Sequence, residues 1–154
     1  MTKIVPYRVG SYLGRDVQCS AVDGVDDFVG LVVDQSLVLI DTADTGLNTD
    51  EETRLAEQII RLRPLGVFFT GAAAERMFVR LLRALDTPGS PLPVMTNFSS
   101  DVLPEAVEEF LSSTWPAEQF WERWRGYVLV SVGGSALQLE QAARRAIEGD
   151  GADP

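Results

Sequence analysis

The stretch Leu37–Gly71, LVLIDTADTGLNTDEETRLAEQIIRLRPLGVFFTG, carries the main architectural signal of this protein. It begins with Leu37–Asp41, a short apolar run that predicts a buried strand. It closes with Leu65–Thr70, an almost continuous apolar run of the kind found in strands covered on both faces. Between the two runs the hydrophobic pattern changes to a helical period. The stretch therefore predicts a strand–helix–strand unit.

The helix inside this stretch has recognisable start and stop signals. Thr49 and Glu52 have the spacing of a capping box, with Thr49 as the N-cap. Apolar residues then recur on one helical face at Leu55, Ile59 and Leu62. Pro64 ends the helix, because proline cannot continue the backbone hydrogen-bond ladder.

Two further strand-then-helix units follow along the chain. Leu92–Thr96 and Tyr127–Val132 are apolar runs that predict strands, each followed by residues at helical spacing. Upstream of the unit at 37–71, Phe28–Val33 predicts a strand in an antiparallel hairpin with Leu37–Asp41, around a turn at Asp34–Ser36. Repeated strand–helix units favour parallel pairing. We therefore predict an α/β fold, a three-layer sandwich with a largely parallel central sheet and an N-terminal antiparallel hairpin.

Length and composition suit one compact domain. The chain has 154 residues, of which 45% are hydrophobic and 23% are charged, which is ordinary for a protein that buries a core. We predict a single domain over 1–148 and a disordered tail over 149–154, where the residues are small and polar. The sequence shows neither a signal peptide nor an apolar run long enough to span a bilayer. We therefore expect a cytoplasmic protein.

The charge of the chain is acidic and unevenly distributed. The net charge is −10, and residues 1–52 carry ten acidic side chains against three basic ones. We expect no nucleic acid and no membrane among its partners, because both attract clustered lysine and arginine. The acidic part would instead steer the approach of a basic protein partner.

Two absences from the sequence narrow its chemistry. There is no histidine, and Lys3 is the only lysine. The chain thus lacks the usual general base near neutral pH, the commonest metal ligand and the usual Schiff-base nucleophile. Cys19 has no second cysteine to pair with and no histidine to activate it, so we predict an inert, buried thiol. We expect no catalytic residue, no metal site and no cofactor, and the sequence favours a protein that is not an enzyme.

Polar and glycine residues follow the predicted strands and form the candidate ligand site. Carboxyl ends of parallel strands meet at one edge of a sheet, where α/β proteins bind ligands. The candidate ligand-binding residues are Asp41, Thr70, Gly71, Asn97, Gly133, Gly134 and Ser135. The Gly-Gly-Ser turn would suit an anion at a helix N-terminus, although no basic residue stands beside it. For Asp41 and Asp44, a magnesium site and a solvated acidic turn are the alternatives.

Two groups of residues are candidates for protein binding. The acidic group consists of Asp26, Asp27 and Asp44. The aromatic group consists of Trp115, Trp121 and Trp124. In a short predicted helix, Phe120 and Trp124 share one face while Trp121 points partly away. An exposed tryptophan there would be a natural hot spot for a partner.

Residues 29–70 resemble two hydrolase families locally. The Asp-Thr turn, the helix and the strand ending at Thr70 resemble the first strands of metallo-β-lactamase-type hydrolases. The histidine-rich metal motif of that family is missing after Thr70, which excludes a zinc hydrolase here. The strand ending at Asp41 is also similar to haloacid-dehalogenase-like phosphatases. Asp41 and Asp44, however, are three positions apart rather than two, and no lysine follows.

The C-terminal two-thirds resembles a bacterial Rossmann-like α/β domain family of unknown function. The resemblance lies in three segments, GVFFTGAAAERMFVRLLRALD, PVMTNFSSDVLPEAVEEFL and FWERWRGYVLVSVGG. The chain has Asn97 and Phe98 where that family has a Thr-Trp-like strand end. The resemblance implies a Rossmann-like fold and no particular activity.

Three hypotheses for function follow from the sequence. The first is a non-catalytic, acidic protein-binding or regulatory domain, whose size and acidity also suit an immunity- or defence-associated role. The alternative is a nucleotide- or anion-binding Rossmann-like domain, or an enzyme, with its site at the C-terminal ends of the strands. The third is a homodimer that uses the tryptophan-rich segment.

Overall fold

The computed structural model describes residues 3–43, 46–86 and 95–151. Within them, six strands form one sheet in the order β1-β2-β6-β3-β4-β5. The strands are β1 (Tyr7–Tyr12), β2 (Arg15–Val22), β3 (Ser36–Asp41), β4 (Gly66–Thr70), β5 (Met95–Phe98) and β6 (Gly126–Val132). Among these strands, β1 is antiparallel to β2 and every other pairing is parallel.

The helices pack on the two faces of this sheet. They are α1 (Thr49–Leu62), α2 (Ala74–Leu85), α3 (Leu103–Ser113) and α4 (Ala136–Ala146). α1 and α2 contact each other on one face, and α3 and α4 contact each other on the opposite face. The predicted three-layer α/β sandwich is therefore confirmed. None of the helices in the described ranges is long and apolar enough to cross a membrane.

The central strand β3 shows how one sequence fills two cores. All six of its residues are buried. Leu37 and Leu39 pack into the core under α3 and α4, whereas Val38 and Ile40 pack into the core under α1 and α2. Because side chains alternate between the faces of a strand, a parallel strand covered on both sides needs apolar residues at every position.

The predicted hairpin between Phe28–Val33 and Leu37–Asp41 is wrong. Val25–Gly30 forms a 3₁₀ helix, and β3 pairs in parallel with β4 and β6. The buried residues Val25, Phe28 and Leu31 recur every three positions, which is the period of a 3₁₀ helix rather than that of a strand. A run of apolar residues this short does not distinguish the two structures.

The N-terminal antiparallel hairpin is instead formed by β1 and β2. Its turn consists of Leu13 and Gly14, which have φ angles of 51° and 80°. Two positive φ angles are typical of the tight turns that match the twist of paired strands. Leucine is an unusual residue in the first position of such a turn, so the turn has no recognisable sequence signal. The sequence of this region also predicts strands over Lys3–Val9 and Val17–Val22, and these overlap β1 and β2 with shifted ends.

Other boundaries differ by a few residues. The N-cap of α1 is Asn48, whose side chain accepts a hydrogen bond from the Glu51 amide while the Glu51 side chain accepts one from the Asn48 amide. The capping box predicted with Thr49 as the N-cap therefore lies one residue too far along the chain. Most of the predicted strand Leu92–Thr96 lies outside the described residues. A π-helical turn, Ile147–Gly151, follows α4. Residues 152–154 of the predicted tail also lie outside the description, so the domain boundary stays a prediction.

Candidate functional site

The order of the strands reverses between β3 and β6. From β3 the chain steps outward to β4 and then β5, and it returns to place β6 on the other side of β3. In open α/β sheets the crevice outside the carboxyl ends of the strands at such a reversal is the usual ligand site. We call the edge at which the parallel strands β2 to β6 end the carboxyl edge. The helices that follow β3, β4, β5 and β6 begin at this edge.

A cavity of about 280 Å³ opens at the carboxyl edge beside β3. We call it the strand-end crevice. Its polar lining consists of Asp41, Thr70, Ser100, Asp101 and Gln138. Val102 and Leu103, at the start of α3, add apolar surface. No basic side chain is found among the described residues that line it.

Three polar side chains form a row across the strand ends beside this crevice. Asp41 lies opposite Thr70 on β4 and opposite Ser131 on β6 in the register of the sheet. All three are buried, with exposed fractions of 7%, 1% and 1% respectively. Strand alternation places them on the face that carries α3 and α4, in phase with Leu39. The row is the polar end of the otherwise apolar core between the sheet and helices α3 and α4.

The turns at the ends of β3 and β4 are locked together. Thr42 Oγ1 donates to the Thr70 carbonyl at 3.0 Å, and the Ala43 amide donates to Asp41 Oδ1 at 2.9 Å. Gly71 has φ +96°, and a Cβ there would lie 2.6 Å from Thr42 Oγ1 and 2.9 Å from Asp41 Oδ1. Only glycine has both this backbone conformation and the space for this approach. The ends of β3 and β4 are therefore closely packed where they meet the crevice.

The sequence did not predict the lining residues Ser100, Asp101 and Gln138. It also did not predict Ser131, which lies opposite Asp41 in the sheet. Its hydroxyl is buried and has no hydrogen-bond partner among the described residues. A Cβ at Gly134 would lie 2.5 Å from Ser131 Oγ, so the turn after β6 closes directly over the hydroxyl. The signal in the sequence was a polar residue in phase with Tyr127 and Leu129, which both face the same core.

The predicted ligand-binding residues divide into three groups in the structure. Asp41, Thr70 and Gly71 line the crevice. The turn Gly133–Ser135 stands beside it, where the Gly133 amide donates to the Val22 carbonyl at 2.8 Å and Ser135 Oγ caps α4 by accepting from the Leu137 amide at 3.1 Å. Asn97 is exposed on the outer strand β5 and is not among the described lining residues.

A second, acidic hollow lies further along the carboxyl edge, where β2 ends. Its volume is about 370 Å³, and Asp23, Asp26 and Asp27 contribute to its lining. Asp26 Oδ1 accepts from Arg54 at 2.5 Å, which ties the 3₁₀ helix to α1. The third member of the predicted acidic group, Asp44, lies outside the described residues.

The tryptophans lie at the opposite edge of the sheet, where β6 begins. Trp124 is a core residue whose indole N–H donates to the Gly126 carbonyl at 3.0 Å. Trp115 and Trp121 are 52% and 47% exposed. The guanidinium of Arg15 lies 3.8 Å from the ring centroid of Trp124 and 5.6 Å from that of Trp121. Trp124, which the sequence grouped with Trp115 and Trp121 as a candidate for protein binding, is thus buried, whereas Trp121 points partly away from the core.

The thiol of Cys19 is buried in β2, as predicted. Burial, with a smaller contribution from the carboxylate of Glu140, raises the pKa of Cys19 to about 12. At neutral pH the group is therefore a protonated thiol, which is a poor nucleophile. The described residues also contain no group of three Cys, Asp or Glu side chains arranged to hold a metal ion.

No protein-family model matches this chain, and the search of characterised proteins found none significantly similar to it. Its function is therefore inferred from the geometry and charge of the site.

Proposed function

We propose that this protein is a non-catalytic binding domain that recognises a basic protein segment along its carboxyl edge. The observation that carries the proposal is the character of the two cavities at this edge. Both are lined by carboxylates, Asp41 and Asp101 in one and Asp23, Asp26 and Asp27 in the other, without a basic side chain among their described lining residues.

The distribution of charge over the molecule supports this choice of partner. Helix α1 also begins at the carboxyl edge, and its first turn adds Asp50 and Glu51. At the opposite edge, the exposed residues just before β6 include Arg123 and Arg125 as well as Glu118 and Glu122, so acidic and basic side chains are mixed there. A concentrated field of one sign steers oppositely charged partners and raises their association rate.

Exposed apolar side chains next to the strand-end crevice supply the remaining part of a docking surface. Val102, the N-cap residue of α3, is 64% exposed, and Leu137, in the first turn of α4, is 55% exposed. Protein interfaces typically combine an apolar centre with a polar, charged rim. The acidic groups around these two residues are such a rim.

A nucleotide- or anion-binding domain is the alternative, and the N-termini of α3 and α4 at the crevice favour it. The charge of the crevice lining argues against this alternative, since Asp41 and Asp101 would repel a phosphate and no described lining residue is basic. The turn Gly133–Ser135 adds little to an anion site, because the amides of Gly133 and Leu137 already donate hydrogen bonds within the protein. The cavity, with a volume of about 280 Å³, is also slightly smaller than the roughly 300–1,000 Å³ found for small-molecule sites.

The test compares two double variants with the same change of charge. Asp23→Asn/Asp27→Asn removes charge at the carboxyl edge, and Glu118→Gln/Glu122→Gln removes it from exposed positions near the tryptophans. Each variant and the wild type are immobilised and exposed to extract of the producing cell, and retained proteins are identified by mass spectrometry and then purified. We expect a basic protein whose association rate falls about tenfold for the aspartate variant only, with a strong dependence on salt. Equal retention by all three proteins would remove the proposal.

Homodimerisation through the exposed Trp115 and Trp121 stays a separate prediction. Exposed aromatic side chains are enriched at interfaces. The mass in solution, measured by light scattering for the wild type and for Trp121→Ala, tests it. A monomeric wild type across the micromolar range would rule it out.

A further inference from the structure

We propose that two copies of this chain form a twofold dimer through the edge at which β2 and β6 begin, with the tip of the β1–β2 hairpin as the anchor of the contact. The inference is independent of the proposed function, because it concerns the edge opposite to the acidic one. It gives the dimer expected from the tryptophans a further central residue, Leu13, and a pattern of charges that a second copy would match.

Leu13 is the first unusual feature of this edge. It lies in the turn before β2 with φ +51°, a left-handed conformation that is unfavourable for a residue with a branched apolar side chain. Its side chain is 70% exposed, so folding of the single chain buries little of it in return. Asparagine or glycine would suit both the turn and the contact with water better. Leucine is favourable at this position only if a second molecule covers it.

The hairpin tip lies next to Trp121. Arg15 follows Leu13 by two residues, and its guanidinium lies 5.6 Å from the ring centroid of Trp121 and 3.8 Å from that of Trp124. Trp124 is itself fixed in the core. Arg15 therefore holds the exposed turn and the half-exposed Trp121 together at one end of the sheet.

Trp115 adds a second exposed indole ring at this edge, where it follows the end of α3. We call Leu13, Trp115 and Trp121 the hairpin–tryptophan surface. With exposed fractions of 70%, 52% and 47%, three side chains of this size present roughly 300–400 Å² to water. Exposed apolar areas of this size are often functional. Two such surfaces would supply about half of an ordinary interface of roughly 1,600 Å², so a dimer of modest affinity is expected.

The charges around this surface favour a second copy as the occupant. The chain has a net charge of −10, so two copies repel each other overall. At this edge, however, Glu118, Glu122 and Arg123 are exposed, and none of them forms an ion pair with a described residue. In a twofold interface every contact occurs twice, so the glutamates of each copy can face Arg123 of the other. A partner with charges of one sign would be repelled by part of this rim.

The experiment measures the mass of the full chain by sedimentation velocity from about 1 to 300 µM. We expect a dimer with a dissociation constant on the order of tens of micromolar. Leu13→Asn is the decisive variant, because asparagine tolerates the left-handed turn and removes the apolar side chain. It should melt at the same or a higher temperature than the wild type and dimerise at least about tenfold more weakly.

The matched control is Val5→Asn. Val5 is 69% exposed and lies before β1, at the other end of this strand. The substitution also replaces an exposed apolar side chain with an amide, and it should leave the dimer unchanged.

A pair of charge variants tests the twofold symmetry. Glu118→Lys/Glu122→Lys and Arg123→Glu each place like charges opposite each other in their own dimer, so each alone should associate at least about tenfold more weakly than the wild type. An equimolar mixture restores opposite charges in both halves of the contact. The mixture should therefore form a mixed dimer with an affinity close to that of the wild type.

The proposal is overturned if the wild type stays monomeric up to about 300 µM, if Leu13→Asn dimerises like the wild type, or if the mixed charge variants associate no better than each alone. A dimer that is lost with Trp121→Ala but kept with Leu13→Asn would also overturn it, since the hairpin would then have no part in the contact. Retention of a basic protein through Asp23 and Asp27 is measured separately, so the proposed function and the dimer can fail independently.

Discussion

At the scale of single residues, Ser131 and Gly134 determine how the closed end of the strand-end crevice is built. The hydroxyl has no partner among the described residues, and the turn after β6 passes so close that a Cβ at Gly134 would lie 2.5 Å from it. The glycine is thus required by the neighbouring side chain. Its backbone dihedrals do not require it, since Gly134 is not among the residues with positive φ.

This contact makes a prediction about stability. Gly134→Ala should lower the free energy of unfolding by about 1–3 kcal/mol, because the added methyl group forces side chain or backbone to move. Ser131→Ala alone should be neutral or slightly stabilising, since it removes a buried hydroxyl without a partner. Urea denaturation of both single variants measures these changes.

The double variant supplies the control. In the Ser131→Ala background the nearest atom to the new methyl group would be Ala43 Cβ at 3.4 Å, so Gly134→Ala should lose most of its cost. A coupling energy below about 0.5 kcal/mol would show that the two residues act independently and that the strain lies elsewhere.

At the scale of elements, α1 and α2 are joined by one buried carboxylate. Glu52, in the first turn of α1, accepts from Arg76 at 2.7 Å and from Arg80 at 3.1 Å, both on α2. Its side chain is 3% exposed, while those of the two arginines are 57% and 33% exposed. A carboxylate is tolerated in this position because two guanidinium groups compensate for the lost hydration.

We expect Glu52→Gln to lower the free energy of unfolding by about 1–3 kcal/mol, because it weakens two charge-assisted hydrogen bonds at a buried site. The cost stays moderate since both arginines retain contact with water. Glu57→Gln makes the same change on an exposed position of the same helix and should alter stability by less than about 0.5 kcal/mol. Equal effects of the two substitutions in thermal or urea denaturation would contradict the structural role of Glu52.

At the scale of the whole molecule, the core beneath α3 and α4 contains two groups that resist ionisation. Burial raises the pKa of Cys19 from 9.0 to about 12, and burial likewise raises the pKa of Tyr127 from 10.0 to about 12. Both side chains belong to the same hydrophobic cluster. In the unfolded chain they would ionise near their ordinary values.

The fold should therefore lose stability in alkali. Below the unfolded pKa values of 9.0 and 10.0 both groups are protonated in the folded and the unfolded state, so the stability of the fold is complete. As the pH rises towards the native pKa values near 12, only the unfolded chain ionises, and the folded state loses stability. We expect the free energy of unfolding to fall by roughly 1–4 kcal/mol between pH 8 and pH 11, since a tenfold change in an ionisation constant corresponds to about 1.4 kcal/mol. Urea denaturation across this range measures it.

The variants Cys19→Ala and Tyr127→Phe separate the two contributions. Each should flatten the dependence on pH, and Tyr127→Phe should cost little at pH 8, because the phenol hydroxyl has no partner among the described residues. An unchanged slope in the double variant would assign the alkaline loss to other groups.

Local patterns determined most of the architecture. Leu37–Asp41 and Leu65–Thr70 are apolar at nearly every position, and a strand with no polar face has to be covered on both sides. From this and the helix at 49–62, the parallel core could be predicted without the structure, and so could Asp41, Thr70 and Gly71 at the strand ends. The hairpin was placed wrongly because the apolar spacing around Phe28 suits a 3₁₀ helix as well as a strand, and only packing against α1 selects between them.

Composition and short-range periodicity establish the α/β class, the acidic character and the lack of histidine-dependent chemistry, since these depend on residue types and on periods within a few residues. The order of the strands, by contrast, is a property of the folded molecule, and it brings Asp41, Thr70 and Ser131 into one row and Asp101 into the same crevice. The physical reason is that the register between strands depends on contacts between segments far apart in the sequence, such as Asp41 on β3 and Ser131 on β6. No local period encodes such contacts.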